Sequence, residues 1–190
     1  MFNSETRYGA VAMALHWLIA IAIITLLAVG KYMVDLPNED PNKFMLFQLH
    51  KSSGLAVLVL SVARIVWRLI NVVPPLPAAT PAWQAWAAGG SHLLFYALII
   101  IIPLSGWAVA SASPLGIPII WFGLFEVPYL PGLQGLPDQK DTEEFYEGIH
   151  ELLGNLMILL VIVHVLAALK HQFWDRDTIL RRMLPFTKVE

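Results

Sequence analysis

Four apolar stretches, each long enough to cross a lipid bilayer, constrain the fold of this chain more than any other feature. A hydrocarbon core about 30 Å thick requires about 20 mostly apolar residues per helix. The stretches lie at about residues 9–31, 44–70, 89–112 and 145–170. Of the 190 residues, 57% are hydrophobic and only 14% are charged, whereas soluble domains average about 25% charged residues. We therefore expect an all-α membrane protein in which residues 1–190 form a single domain, a bundle of four transmembrane helices.

Basic residues are distributed unequally between the two ends of these segments. Eight lie at one end, namely Arg7, Arg64, Arg68, Lys170, Arg176, Arg181, Arg182 and Lys188. Four lie at the other end, namely Lys31, Lys43, Lys51 and Lys140. Because cytoplasmic loops carry the excess of lysine and arginine in membrane proteins, we predict that both termini are cytoplasmic.

Two connecting loops differ in character. The segment VVPPLPAATP at 72–81 contains four prolines, which favour a short and extended cytoplasmic link. The segment IPIIWFGLFEVPYLPGL at 117–133 is too interrupted by proline and glycine to span the bilayer, yet it is strongly apolar. We expect it to lie on the periplasmic face and cover part of the bundle. An interfacial loop with aromatic side chains at headgroup level is the alternative.

Six histidines lie in or next to the apolar segments: His16, His50, His92, His150, His164 and His171. Ionisable side chains at membrane depth are rare and usually functional. The direction of each segment places His50 and His150 towards the periplasm, and His16, His92 and His164 towards the cytoplasm. His164 follows His150 by 14 residues, which in a helix is about 21 Å along the axis and about 40° around it. One helix therefore presents two histidines at two depths on nearly the same face.

The second and fourth segments share a pattern in which a histidine, a glycine and a basic or histidine residue recur at the same intervals. The intervals i, i+4 and i+14 hold His50, Gly54 and Arg64 in one segment and His150, Gly154 and His164 in the other. A glycine one turn from each histidine leaves space for a flat macrocycle against the helix. Close packing between helices is the alternative explanation for the glycines, but it does not account for the histidines.

Paired imidazoles at two depths favour haem over other metal centres. The chain has no cysteine, which excludes iron–sulfur clusters, thiolate ligation and covalent attachment of c-type haem. Zinc prefers four protein ligands in a tetrahedron, and neither depth supplies four. Haem iron needs only two axial ligands. We expect two haem b groups, one on His50 and His150, the other on His164 with either His16 or His92.

Several longer segments carry a family resemblance. They are ALHW at 14–17, HKSSGLAVLVLSVARIVWRL at 50–69, SHLLFYALIIIIPLSGW at 91–107 and IHELLGNLMILLVIVHVLAALKHQFWDRDTILRRMLP at 149–185. With these segments the chain resembles the bacterial cytochrome b561 family of four-helix di-haem membrane cytochromes. The resemblance implies that the four haem ligands are His16, His50, His150 and His164, and it thereby prefers His16 to His92.

Three further residues are candidates for binding haem or quinone. Arg64 lies about 21 Å along the second helix from His50, level with the cytoplasmic haem, where a cation would pair with a haem propionate. The resemblance implies that a quinone meets the cytoplasmic haem near His171. Because histidine exchanges protons near neutral pH, His171 is our candidate for quinone protonation, with Trp174 as a ring contact. A hydrogen bond from His171 to a propionate is the alternative.

The function that the resemblance implies is transmembrane electron transfer. A one-electron donor in the periplasm would reduce ubiquinone or a related quinone near the cytoplasmic side of the bacterial inner membrane, and superoxide oxidation is one activity of the family. The expected partners are membrane lipid, quinone and a small periplasmic donor or redox protein, and we expect no nucleic acid. Two other functions remain open: a membrane cytochrome b subunit of a larger dehydrogenase or hydrogenase, and a metal carrier that uses the histidines transiently.

Overall fold

The computed structural model describes residues 2–77 and 80–187. Within them, four helices are long and apolar enough to cross a membrane. They are α1 (Ala10–Asp35), α2 (Lys43–Leu69), α3 (Ala82–Ala112) and α4 (Gln139–Lys170). A single π-helical turn, His171–Asp175, extends α4, and a short 3₁₀ turn follows at Arg181–Met183. The protein is a four-helix membrane bundle, as predicted. Lys188, Ala78 and Ala79, which the sequence predictions included, lie outside the described residues.

The helices extend beyond the predicted segments, mostly at polar ends. The third helix begins at Ala82 directly after Pro81, seven residues before the predicted start. The fourth begins at Gln139, six residues early, and its first turns are the polar sequence QKDTEE. Hydropathy marks only the part of a helix that lies in hydrocarbon, so polar turns outside it are missed. Pro103 lies inside α3, and membrane helices tolerate proline within their length.

Successive helices pack side by side, α1 on α2, α2 on α3 and α3 on α4. The best buried apolar cluster contains Leu98 and Ile99 of α3 and Met157 of α4. Side chains of α1, including Ile23 and Leu27, pack against it. Met157 lies seven residues from both His150 and His164, or about 10 Å along the helix axis in each direction. The apolar cluster therefore separates two histidine-containing regions at opposite ends of the bundle.

The first and last parts of the described chain lie at one end of the bundle, where they contact each other. The Arg7 guanidinium donates a hydrogen bond to the carbonyl of Leu184 at 2.8 Å. The Trp17 indole N–H donates to the carbonyl of Met183, also at 2.8 Å. We call this end, which also carries the α2–α3 loop, the inner end, and the opposite end the outer end. That the inner end faces the cytoplasm remains a prediction from the basic residues.

The apolar loop between α3 and α4 forms a small β-hairpin against α2. Its strands β1 (Ile119–Trp121) and β2 (Phe125–Val127) pair antiparallel. The Ser52 hydroxyl donates to the carbonyl of Ile120 at 3.1 Å and accepts from the backbone N–H of Phe122 at 3.2 Å. The expectation that this loop covers part of the bundle is borne out for the outer end of α2. The hairpin itself was not predicted.

Candidate cofactor sites

The outer end brings together the imidazoles of His50 on α2 and His150 on α4. Their ring centroids are 6.2 Å apart, and the ring planes are 83° apart. With a metal–nitrogen bond of about 2.0 Å and a ring nitrogen about 1.1 Å from its own centroid, two imidazoles on opposite sides of one metal have centroids about 6 Å apart. The observed spacing therefore suits two imidazoles that would together hold a single metal ion.

A cavity of about 730 Å³ contains this pair of histidines and reaches the apolar cluster at Met157. Its size lies within the range of about 300–1,000 Å³ typical of cofactor sites. Gly54 and Gly154 both line it, and a Cβ built on either glycine would meet nothing within 4 Å. The sequence prediction that these glycines border open space beside the histidines agrees with this arrangement.

Two other glycines allow the imidazoles to pack against the backbones of neighbouring helices. Neither of them was predicted from the sequence. A Cβ on Gly30 of α1 would lie 3.2 Å from Cε1 of His50. A Cβ on Gly106 of α3 would lie only 2.9 Å from Cε1 of His150, which is closer than Cβ atoms come to non-bonded atoms in proteins. Each ring therefore packs directly on the backbone of a neighbouring helix. In the sequence, Gly106 indicates no more than a bend near Pro103.

The protonation of His150 follows from its hydrogen bonds. Its Nδ1 lies 3.1 Å from the carbonyl of Ile102 and 2.9 Å from the hydroxyl of Ser105. Ser105 also donates a hydrogen bond to the Ile102 carbonyl at 2.8 Å. Because a carbonyl only accepts, these contacts favour a proton on Nδ1, which leaves the lone pair of Nε2 free for a metal. The Nδ1 atom of His50, by contrast, is buried without a partner among the described residues.

Charged residues surround the opening of the outer cavity. The carboxylates are Asp35, Asp40, Glu143, Glu147 and Glu151, and the lysines are Lys31, Lys43 and Lys51. Lys31 pairs with Glu151 at 2.8 Å, and Lys43 donates to the Leu36 carbonyl and the Asn38 side chain. The side chain of Lys51, next to His50, makes no ion pair or hydrogen bond within residues 2–77 and 80–187.

At the inner end, three imidazoles lie close together instead of two. The ring centroid of His164 is 6.4 Å from that of His16 and 6.0 Å from that of His92. Both spacings suit two imidazoles that bind one metal, so distance alone does not decide whether His16 or His92 pairs with His164. His16 and His164 are half-buried, whereas His92 is exposed. His92 lies ten residues inside α3.

Comparison with known proteins identifies the family of this chain. Residues 7–186 match the family model described as prokaryotic cytochrome b561. The chain belongs to this family. It is 37% identical over 183 residues to cytochrome b561 homolog 2 of Escherichia coli strain K12, covering 96% of this chain and 93% of the relative.

The similarity to two further relatives extends over nearly the whole length of each of them. The chain is 31% identical over 182 residues to the probable superoxide oxidase CybB of Yersinia pestis, covering 94% of this chain and 96% of that protein. It is 28% identical over 187 residues to cytochrome b562 of Cereibacter sphaeroides, covering 96% of this chain and 98% of that protein. As a cytochrome b561, the protein is a bacterial membrane electron-transfer protein of a family that binds haem b and works with quinones and redox partners.

The residues at the outer end fit a haem b. A flat macrocycle requires two facing imidazoles and space free of Cβ atoms beside them, and His50, His150, Gly54 and Gly154 meet both conditions. An imidazole in an apolar region also needs a hydrogen bond or a metal to offset its lost hydration. Among the described residues, the ring nitrogen Nδ1 of His50 is the histidine atom that is buried without such a partner.

Cations border the inner histidines of this cytochrome b561. The guanidinium of Arg64 donates a hydrogen bond to the carbonyl of Ala12 at 3.1 Å, one helical turn before His16. Arg68 lies over the ring of Tyr96, 5.3 Å from its centroid. Arg64 is therefore at the depth that the sequence predicted for it, where a haem carboxylate would find a charged donor.

His171 and Trp174 lie beyond the inner histidines, on the π-helical turn that ends α4. The Nδ1 atom of His171 is 2.6 Å from a carboxylate oxygen of Asp177. Trp174 is 84% exposed, so its ring is available to lipid or to a lipid-soluble ligand. The alternative partner for His171, a haem propionate, would have to compete with Asp177.

Proposed function

We propose that this protein carries electrons across the bacterial inner membrane through two haem b groups, from a small periplasmic donor to ubiquinone or a related quinone near the cytoplasmic side. The observation that carries the proposal is the pair of histidine sites at opposite ends of one bundle, with centroid spacings of 6.2 Å and 6.4 Å. Both sites take a ligand from α4, through His150 and His164. When bound, the haem groups supply two one-electron carriers at different depths.

The proposed outer ligands are His50 and His150, and the proposed inner ligands are His16 and His164. His150 is oriented by Ile102 and by Ser105, which leaves Nε2 as the ligating atom. His16 is preferred to His92 because it is half-buried while His92 is exposed, and because the family resemblance implies it. Arg64 would hold an inner propionate, and Gly54 and Gly154 would leave room for the macrocycle at the outer site.

The proposed donor is superoxide or a comparably strong small reductant. Moving one electron inward against a membrane potential costs about 2.3 kcal/mol per 100 mV over the full bilayer, so a weak donor would not suffice. The name of the Yersinia pestis relative supports superoxide. Because superoxide is an anion and the cavity opening is mostly acidic, we place its approach at Lys51.

The proposed quinone site lies at the inner end, beside the π-helical turn. His171 would donate a proton to a quinone oxygen, and the exposed ring of Trp174 would contact the quinone ring. The inner end also carries the basic residues that predict its cytoplasmic orientation, and protons for the reaction would come from that side.

The test combines cofactor counting with turnover. Pyridine haemochrome analysis of the purified protein should give two haems per chain, falling to one in His50→Ala, His150→Ala and His164→Ala. In proteoliposomes that contain ubiquinone, superoxide generated outside should produce quinol. Two haems in the His50→Ala protein would contradict the ligand assignment, and a hydrophilic subunit that co-purifies with the chain would favour a role within a larger complex.

The donor side has its own test. One unit charge about 6 Å from the approaching anion is worth about 0.7 kcal/mol in water, which is roughly a threefold change in rate. Lys51→Gln should therefore slow haem reduction by superoxide about threefold without changing the haem content. Lys170→Gln is the matched control, because this lysine pairs with Asp175 at the inner end, far from the opening of the outer cavity. Equal rates in both variants would contradict an approach at Lys51.

A further inference from the structure

The end of α4 folds back so that Asp177 meets His171. The π-helical turn His171–Asp175 is followed by Arg176 in the left-handed conformation, with φ 54° and ψ 35°. This reversal brings the backbone N–H of Asp177 to 3.1 Å from the carbonyl of His171. It also brings one Asp177 carboxylate oxygen to 2.6 Å from Nδ1 of the His171 ring. Backbone and side chain thus join the same two residues, which restricts how either one can move.

Asp177 is fixed on its other side as well. Its second carboxylate oxygen accepts a hydrogen bond from the backbone N–H of Ile179 at 2.9 Å. The side chains of His171 and Asp177 are only 17% and 21% exposed, so water competes weakly for their hydrogen bond. A short, partly buried bond between an imidazole and a carboxylate is stronger than an ordinary surface pair.

A second carboxylate nearby is engaged differently. Asp175 lies 3.2 Å from Nδ1 of His171, and its nearer partner is the amine of Lys170 at 2.5 Å. Lys170 neutralises the charge of Asp175, whereas Asp177 has no ion pair with lysine or arginine in the described part of the chain. The two aspartates therefore provide a matched pair for testing, alike in residue type and neighbourhood but different in their bond to His171.

We propose that Asp177 is a positioning residue for quinone reduction: it keeps the proton of neutral His171 on Nδ1 and thereby makes Nε2 the atom that exchanges protons with the quinone. A carboxylate that only accepts hydrogen bonds selects the Nδ1–H tautomer. This inference rests on the proposed role of His171 in the proposed function.

Reduction of one quinone to the quinol takes two electrons, from two molecules of the one-electron donor, and two protons from the cytoplasmic solvent. His171 relays one of these protons. The Nε2–H bond of His171 breaks as an O–H bond forms on the quinone. The neutral His171 that results keeps its proton on Nδ1, where this proton is hydrogen-bonded to Asp177. Solvent then returns a proton to Nε2, while the second quinone oxygen takes its proton directly from water.

The first test is a tautomer measurement that does not depend on turnover. In protein with ¹⁵N-labelled histidine, the His171 ring should carry its proton on Nδ1 when neutral, with the signal assigned by its loss in His171→Gln. Asp177→Asn should populate the Nε2–H tautomer, since an asparagine amide can donate to Nδ1 as well as accept from it. Asp177→Glu should restore Nδ1–H. A wild-type ring that is protonated on Nε2 would overturn the proposal.

The second test is kinetic. Protein with chemically pre-reduced haem is mixed with ubiquinone-1, and haem oxidation is followed by absorbance, so the physiological donor is not needed. Asp177→Asn should lower the maximum rate at least tenfold while the half-saturating quinone concentration stays within about twofold. Asp175→Asn should keep more than half of the wild-type rate, and all variants should retain two haems. A wild-type rate in Asp177→Asn would overturn the proposal.

The same experiment separates this proposal from the one on which it rests. If His171→Gln oxidises at the wild-type rate, the proposed role of His171 fails and the role of Asp177 fails with it. If His171→Gln is slow while Asp177→Asn is as fast as wild type, only the positioning role of Asp177 fails. Equal slowing in Asp175→Asn and Asp177→Asn would show that any lost charge suffices, which also contradicts a specific role for Asp177.

Discussion

Substitution of Gly106 by alanine tests whether the outer histidine site depends on direct contact between helix backbone and imidazole. The added Cβ would lie 2.9 Å from Cε1, 3.3 Å from Nδ1 and 3.6 Å from Nε2 of His150. Non-bonded carbon atoms are most stable at about 3.5–4.0 Å, so the ring would have to move by about 0.6 Å or more. That movement would also disturb the hydrogen bond from Nδ1 to the Ile102 carbonyl, now 3.1 Å.

The expected effect follows from how closely a ligand must be held. Binding sites tolerate displacements of about 0.5 Å, and disturbing the groups that orient a metal ligand weakens metal binding by about 10- to 100-fold. A loss of this size corresponds to about 1.4–2.7 kcal/mol. Gly106→Ala should therefore lose most of the outer haem during purification while it keeps the inner haem.

The assay is haem counting combined with a redox titration. Pyridine haemochrome analysis should fall from two haems per chain towards one, and one of two redox components should disappear. Gly90→Ala is the matched control, because this glycine lies on the same helix and a Cβ there meets nothing within 4 Å. If Gly106→Ala keeps two haems with unchanged spectra and potentials, the packing argument is refuted.

Three further predictions follow from other contacts. His16→Ala should leave one haem per chain, whereas His92→Ala should leave two, as measured by the same haem assay; the reverse result would make His92 the inner ligand. Ser105→Ala removes one hydrogen bond to His150, worth about 1 kcal/mol, and should raise the outer midpoint potential by a few tens of millivolts in a redox titration. Ser52→Ala leaves two backbone groups of the hairpin without their partner, at a cost of about 1–3 kcal/mol, and should speed hydrogen exchange across residues 119–127; unchanged exchange would contradict this.

The two depths of the histidines could be predicted from the sequence because they depend on one helix. An interval of 14 residues fixes both the distance and the angle between His150 and His164 in any regular helix, and α4 is regular across this interval. The grouping of His50 with His150 followed from hydropathy, which orders the segments through the membrane. These predictions needed no knowledge of which helices are neighbours.

The contacts between helices could not be predicted in the same way. That Gly30 meets His50 and Gly106 meets His150 depends on which helices face each other and at what rotation. The similar distances from His164 to His16 and to His92 also depend on how the helices are arranged. The chain reversal that brings Asp177 to His171 depends on a π-helical turn and one left-handed residue, for which the sequence carries no periodic signal.

Cofactor binding and folding are coupled in this arrangement, because the outer site takes groups from all four helices. His50 and His150 come from α2 and α4, and they pack on Gly30 of α1 and Gly106 of α3. A group that fills the cavity of about 730 Å³ would contact every helix and replace open space with packed atoms. A ligand that binds only the folded state stabilises that state by mass action. Glycine lowers the stability of an isolated helix. In the bundle, Gly30 and Gly106 allow the His50 and His150 rings to pack against the helix backbone, and the proposed outer site depends on this packing.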